Sequence, residues 1–236
     1  MNVNNLGREQ LVDRIRQSQS HLDRRRSSGM AVSQMLHDDS DAEPGETKPN
    51  RRGDHDLNEE GMRPKPPLTP AAVLVPLIDY GDCFTVLLTE RAADLRAHAG
   101  QISFPGGRIE DDDPHPEAAA LREAEEEIGL PATSTEIIGR LDTYEVRTGF
   151  EITPVVGLVE PGFETVIDPG EVADVFEVPL SFVLDAANHE RHSRVFQEKR
   201  RYFYVLPFEE RYIWGATAGM LVNLYEVLTG EKARWR

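Results

Sequence analysis

From residue 68 onward the chain falls into short apolar blocks separated by polar turns. Ala71–Ile78 and Phe84–Thr89 are apolar, β-branched runs on either side of Asp79-Tyr80-Gly81-Asp82, which predicts two strands joined by a hairpin-like connection. Over 116–128 the pattern becomes helical. Pro116 stands where a first-turn proline is tolerated, Ala118, Ala119, Ala120 and Leu121 are strong helix formers, and Gly129 followed by Pro131 supplies the stop. Thr135–Glu145 and Thr153–Val159 read as strands flanking a Thr148-Gly149 turn. Val172–Val178 reads as another strand, with Pro179 opening a short helix over Leu180–Asp185. His192–Gln197 and Arg201–Leu206 read as a further hairpin. The last element is a helix over Ile213–Leu228, in which Trp214, Ala218, Leu221, Leu224, Tyr225 and Leu228 form one apolar stripe. Strands mixed with two principal helices predict an α/β fold, an α/β/α sandwich around a mixed sheet.

The first 67 residues follow a different pattern. Leu11, Ile15 and Leu22 share a helical face, which predicts an amphipathic helix over about 7–25, ended by Gly29. Such a helix suits docking on its own domain or on a dimer mate better than a membrane, because charges of both signs alternate along it. From 30 to 67 Asp, Glu, Pro, Gly and Asn dominate. So few apolar side chains cannot offset the entropy of ordering, and the stretch reads as a flexible polar linker. The expected organisation is a helix in 1–29, a linker in 30–67 and a folded domain in 68–236.

Composition narrows the functions open to such a domain. Apolar content of 39% with 29% charged residues fits a soluble globular protein, and no apolar run approaches the ~18 residues of a membrane span. The opening residues lack an apolar signal core, and the single cysteine, Cys83, excludes an internal disulfide. Both suit the cytoplasm. The net charge is −16, and residues 1–65 are close to neutral, so the acidity belongs to the folded domain. An acidic surface disfavours nucleic acid, which is bound through clustered Lys and Arg. A small phosphorylated substrate remains compatible if a metal and local arginines reverse the field in a cleft.

The candidate chemistry lies in Phe104–Leu130, FPGGRIEDDDPHPEAAALREAEEEIGL. At ~100° per residue, Glu123, Glu126 and Glu127 fall on one helix face while Glu125 points elsewhere. An acidic run alone is more often a solvated surface face. Beside the Gly106-Gly107 turn, however, three converging carboxylates repel one another unless a hard cation such as Mg²⁺ sits among them. Arg122 can pair along the helix with Glu125 or Glu126.

The segment resembles the Nudix box, whose pattern is Gly, five residues, Glu, seven residues, then Arg-Glu-U-x-Glu-Glu-x-Gly-U with U apolar. Arg122, Glu123, Ala124, Glu126, Glu127, Gly129 and Leu130 match its second half. The first half departs from it, because Asp113 stands in place of Glu and eight residues, not seven, separate it from Arg122. Upstream, Leu87-Leu88-Thr89-Glu90-Arg91-Ala92, then Arg96, Gly100 and Phe104-Pro105-Gly106-Gly107, resembles the signature preceding the box in the coenzyme A pyrophosphatase branch of the Nudix hydrolases. The substituted Asp and the inserted residue are similar to that branch as well.

The resemblance implies a Nudix-type α/β/α sandwich that hydrolyses coenzyme A or its thioesters to 3′,5′-ADP and 4′-phosphopantetheine. It implies Mg²⁺ or Mn²⁺ held by Glu123, Glu126 and Glu127 with the Gly107 carbonyl nearby, and Arg122 orienting Glu126. It implies Arg91, Arg96, Gly100 and Phe104 on the substrate side. Glu171, in the turn Pro169-Gly170-Glu171, is a further candidate carboxylate for metal or base, and His98 reads as a loop residue. The expected partner is a small nucleotide, with no nucleic acid and no membrane, acting on a monomer or homodimer. Two alternatives stay open at this point: a Nudix enzyme acting on another nucleotide such as ADP-ribose, and a non-catalytic Nudix-like ligand-binding domain.

Overall fold

A computed structural model describes residues 6–19, 51–58, 63–95, 98–196 and 198–233. In chain order the elements are α1 (8–19), β1 (Arg51–Gly53), a 3-10 turn (Asp54–Leu57), β2 (Thr69–Asp79), β3 (Phe84–Arg91), β4 (Ile102–Ser103), β5 (Gly106–Arg108) and α2 (Pro116–Ile128). They continue with β6 (Thr135–Arg140), β7 (Thr143–Val146), β8 (Phe150–Val159), β9 (Val172–Pro179), α3 (Leu180–Val183), β10 (Glu190–Phe196), β11 (Lys199–Phe208), β12 (Arg211–Trp214) and α4 (Gly215–Thr229).

The described strands form a mixed sheet in the order β1-β7-β8-β2-β3-β4, with β5, β6 and β9 also pairing to β2, β8 and β3. Its spine is β2, which runs parallel to β8 from Thr69↔Phe150 to Ile78↔Val159. Successive side chains of a strand point to opposite faces, and β2 is apolar on both. Val73, Val75 and Leu77 join the apolar layer containing Leu11, Ile15 and the α4 residues Leu221 and Leu224. Ala72, Leu74 and Ile78 join the other layer, with Ala120, Ala124 and Ile128 of α2. The sheet is therefore covered on both faces, giving the α/β/α sandwich.

Helix α1 docks through Leu11 and Ile15, both fully buried. Burial of each contributes about 1.5–3 kcal/mol. The half-exposed ion pairs of Arg8 with Asp79 and Glu136 add at most about 1 kcal/mol, so packing decides the docking. Residues 20–50, which include the expected end of this helix and most of the expected linker, lie outside the described residues.

Three expectations are corrected. Residues 51–58 are not a tether: β1 pairs in parallel with β7, and Arg52 reaches the buried Asp142 at 2.8 Å and Glu226. Arg63 grips the buried Glu145 with two bonds of 2.6 and 2.9 Å, beside Arg51 at 3.3 Å. The attachment is ionic, so hydropathy gave no sign of it. The expected strand Thr135–Glu145 is two strands, because the Asp142 N–H turns to donate to Asn223 Oδ1 at 2.9 Å. Ile213 and Trp214 belong to β12, which pairs with β11, and the last helix begins at Gly215.

Candidate active site

The box helix α2 begins and ends as its sequence dictates. The His115 ring nitrogen accepts from the Ala118 N–H at 3.2 Å, and Pro116 follows as the first helical residue. Gly129 takes the left-handed conformation at φ 68°, and the Gly129 and Leu130 N–H groups donate to the carbonyls of Glu125 and Ala124. Packing of Ala119, Ala120, Ala124 and Ile128 on the sheet fixes the helix rotation and turns Glu123 and Glu127 toward β5.

Glu127 is buried. It accepts from the Gly106 N–H at 3.3 Å, and Arg91 Nη1 stands 3.8 Å away. Burial pushes its carboxyl up to about 8; Arg91 pulls against this, Glu171 adds to it, the Gly106 amide opposes it and Glu123 adds again. Glu123, half-buried, is also raised, first by burial, with Arg122 opposing and Glu126 and Glu171 adding. Its carboxylate lies directly over Gly107, where an added Cβ would come within 2.5 Å of Oε1. A side chain at this position fits only by moving that carboxylate. Gly107→Ala is expected to displace Glu123 and lower turnover by about tenfold or more, a loss of the size seen when the support of a metal ligand is removed. Circular dichroism and steady-state kinetics check this: folded protein with unchanged turnover would show that the Glu123 position does not matter.

Arg122 organises one side of the site. Its guanidinium donates to both oxygens of Asp113 at 3.2 and 2.9 Å, to Glu123 at 3.0 Å, to Glu126 at 3.3 Å and to the Arg108 carbonyl at 3.2 Å. Bonding to Arg122 holds the Asp113 carboxyl below the ordinary carboxylate range. The departure from the box pattern therefore has a structural reading. A side chain one carbon shorter, on a loop one residue longer, still reaches the arginine that aligns Glu123.

The expected carboxylates lie at different depths, Glu123 and Glu127 facing the glycines of β5. Glu126 is exposed at the rim and held toward Arg122 as an i,i+4 pair. Glu171, also exposed, adds a further carboxylate: Glu126 and Glu171 both raise Glu123, and Glu171 raises Glu127. The loop carrying Glu171 is latched to the end of α2, the Val166 and Asp168 N–H groups donating to the carbonyls of Ile128 and Glu127 at 3.0 Å. The Glu171 carbonyl then accepts from the Ala92 N–H at 2.9 Å, next to Arg91. Backbone bonds of this kind leave no trace in side-chain identity, so only the acidic turn itself hinted at Glu171.

The upstream residues divide. Arg91 enters the site, and its Nε is buried with no hydrogen-bond partner among the described residues. Gly100 closes the following loop, its N–H donating to the Arg91 carbonyl at 3.0 Å; His98 sits in that loop with its ring bonded to Gln101. Phe104 is a correction: it is 2% exposed within the α4-side layer, so it packs the core and offers no face to a substrate. Arg96 lies outside the described residues.

Among the described residues no three acidic, His or Cys side chains converge as a closed metal cage. The donor set nevertheless fits a hard divalent cation. Glu123 and Glu127 bring like charges together, with Glu126 and Glu171 adding to the repulsion, and burial penalises the ionisation of Glu123 and Glu127, which a bound cation relieves. Mg²⁺ in particular needs only one or two carboxylates, completing its shell with water and substrate phosphates. No helix among the described residues is long and apolar enough to cross a membrane.

Comparison with known proteins agrees with this geometry. The NUDIX domain family profile matches residues 68–199. A Photorhabdus laumondii protein described as an uncharacterized Nudix hydrolase, NudL, is 43% identical over 156 residues, covering 65% of this chain and 82% of its own. The protein of the same description from Escherichia coli K12 is 38% identical over 154 residues, covering 65% and 80%. Among solved structures, an Enterococcus faecalis MutT/nudix family protein aligns with TM-score 0.45 and 12% identity over 87% of this chain and 70% of its own. A Caenorhabditis elegans Ap4A hydrolase complex aligns with TM-score 0.41 and 18% identity over 47% and 80%. With the family profile spanning more than half its length, and Glu123 and Glu127 set against the glycines of β5, the chain belongs to the Nudix hydrolases, enzymes that act on nucleoside diphosphate derivatives.

Proposed function

We propose that the chain hydrolyses the diphosphate bond of coenzyme A or its thioesters, releasing 3′,5′-ADP and (acyl-)4′-phosphopantetheine. The observation that carries this reading is Arg91. The residue comes from the upstream signature, stands against Glu127, and keeps a buried guanidinium nitrogen without a partner among the described residues. A guanidinium so placed has donors left for an anion, and its planar fork suits phosphate oxygens.

Glu123 and Glu127, with Glu126 at the rim and Glu171 opposite, would hold Mg²⁺ or Mn²⁺, and the Gly107 carbonyl is the adjacent backbone candidate. When bound, the cation supplies a Lewis acid for the diphosphate and offsets the charge that grows on the leaving phosphate. Arg91 would bind and orient the diphosphate. Arg122, tied down by Asp113, keeps Glu123 aimed and touches no reacting atom. One of the box carboxylates, or Glu171 on the later loop, would take the proton of the attacking water.

The test is a substrate panel with purified protein and Mg²⁺ or Mn²⁺. Coenzyme A is expected to give a higher kcat/KM than ADP-ribose or dinucleoside polyphosphates. A clear preference for ADP-ribose would reject the coenzyme A assignment and leave the Nudix site intact.

A further inference from the structure

The small antiparallel sheet β10–β11–β12 holds a group of side chains that the site described above does not use. Its register places His192 opposite Phe203, and Val205 opposite both Glu190 and Trp214. Alternation then puts Glu190, His192 and Arg194 of β10, Phe203 of β11, and Tyr212 and Trp214 of β12 on one face. The contacts agree. Phe203 meets Trp214 edge to face with centroids 5.4 Å apart, and the Arg194 guanidinium lies over the Trp214 ring at 5.4 Å. His192 bridges the Tyr212 hydroxyl at 2.8 Å and Glu190 at 2.6 Å. On the opposite face Tyr204, Leu206 and Ile213 are buried in the core, while Arg191, Val195 and Arg200 are exposed. The outer face buries Val205 at the end next to the core and, beyond it, keeps Tyr212 at 45% exposure, with Arg194 exposed and Phe203 and Trp214 half-exposed.

Charge singles out the same place. Residues 190–201 carry Arg191, Arg194, Lys199, Arg200 and Arg201 against Glu190 and Glu198, within a chain whose net charge is −16. The sheet is also tied to β3, the strand that ends at Arg91, through the face opposite Tyr212 and Trp214. Arg211 of β12 donates to Glu90, the neighbour of Arg91, at 3.2 Å and to Asp174 of β9 at 2.7 Å, and stacks on Phe176.

We propose that this outer face binds the nucleoside end of the substrate, with a purine base stacked on the Phe203–Trp214 platform and a phosphate on the ribose met by Arg194. The inference rests on the coenzyme A reading, whose substrate carries an adenine and a 3′-phosphate at that end. The Phe203 and Trp214 rings stand at 68° to one another, so a base stacks on one ring beside the edge of the other, and the Arg194 guanidinium alongside offers a bidentate grip to a phosphate. The acidic remainder of the surface repels a longer polyanion, so the occupant is a mononucleotide.

Calorimetric titration of 3′,5′-ADP, 5′-AMP and a single-stranded oligonucleotide into the full chain without metal tests this. Wild-type protein is expected to bind 3′,5′-ADP more tightly than 5′-AMP. Arg194→Ser is expected to weaken 3′,5′-ADP by about tenfold and 5′-AMP far less. Trp214→Leu, confirmed folded by circular dichroism, is expected to weaken both by about tenfold. With coenzyme A as substrate, the Arg194→Ser loss should fall on KM more than on kcat. Unchanged 3′,5′-ADP affinity in both variants, or no wild-type binding, overturns the proposal. Tighter binding of the oligonucleotide than of 3′,5′-ADP overturns it in favour of a nucleic-acid surface. Failure of the coenzyme A reading is a separate result: wild-type protein would then prefer ADP-ribose in the substrate panel while 3′,5′-ADP affinity still depended on Arg194.

Discussion

Glu127→Gln is expected to lower turnover by about 100-fold or more while leaving the apo protein as stable as wild type or more stable. Removing a group that merely supports a metal ligand costs about 10–100-fold, and Glu127 sits among the candidate ligands themselves. The stability side follows from burial. Folding raises the Glu127 carboxyl to about 8 from the ordinary 4.5, chiefly through desolvation. Below about pH 4.5 the group is protonated folded or unfolded and contributes no pH dependence. Between about 4.5 and 8 the unfolded chain ionises first, so stability falls as pH rises, by on the order of a few kcal/mol from this group. Gln carries no charge and removes that slope. Thermal melts of apo wild type and Glu127→Gln at pH 5 and pH 8 check it: the wild type should lose more stability on going to pH 8. Added Mg²⁺ should restore wild type more than the variant at pH 8. Equal turnover, or a variant markedly less stable at pH 8, would contradict the assigned environment.

Arg52→Ala is expected to produce the largest loss of stability of any change considered. The Arg52 side chain is 16% exposed and lies between Asp142 and Glu226, themselves 8% and 11% exposed. Replacing such a pair by apolar groups can be neutral, but removing one partner leaves two carboxylates facing a low dielectric, at about 3–5 kcal/mol. For a chain of this size that is a fall in Tm of roughly 10 °C. β1 would lose its anchor on β7, while α2 and its glutamates, on the other layer of the sheet, should keep their arrangement. Differential scanning calorimetry with activity measured at 25 °C separates the two effects. A Tm within 1 °C of wild type would show that residues 51–58 do not brace the fold.

What could be read from the sequence divides along physical lines. The box helix was legible because local chemistry sets it: Pro116 opens it, Gly129 closes it, and the alanines turn one face inward. Glu123 and Glu127 followed from helix phase alone. Glu126 shared that phase yet lies at the rim, because a face about 100° wide does not say which residue lies deepest; packing of Ala120 and Ala124 does. Glu171 depended on two backbone bonds from a loop some forty residues downstream. The parallel pairing of β2 with β8 is a tertiary event between segments with the same apolar pattern, so neither strand names its partner. Phe104 shows the opposite failure: a residue of the upstream signature whose role is packing. The Arg52 and Arg63 clamps were invisible to hydropathy because polar residues become structural only when buried carboxylates meet them.

The central claim, that this Nudix site cleaves the diphosphate of coenzyme A, is tested most directly by product identification. Purified chain incubated with coenzyme A and Mg²⁺ or Mn²⁺, resolved by chromatography with mass detection, is expected to yield 3′,5′-ADP and 4′-phosphopantetheine in equal amounts, and neither after chelation with EDTA. Intact coenzyme A after prolonged incubation with metal, or products cleaved at any bond other than the diphosphate, would contradict it.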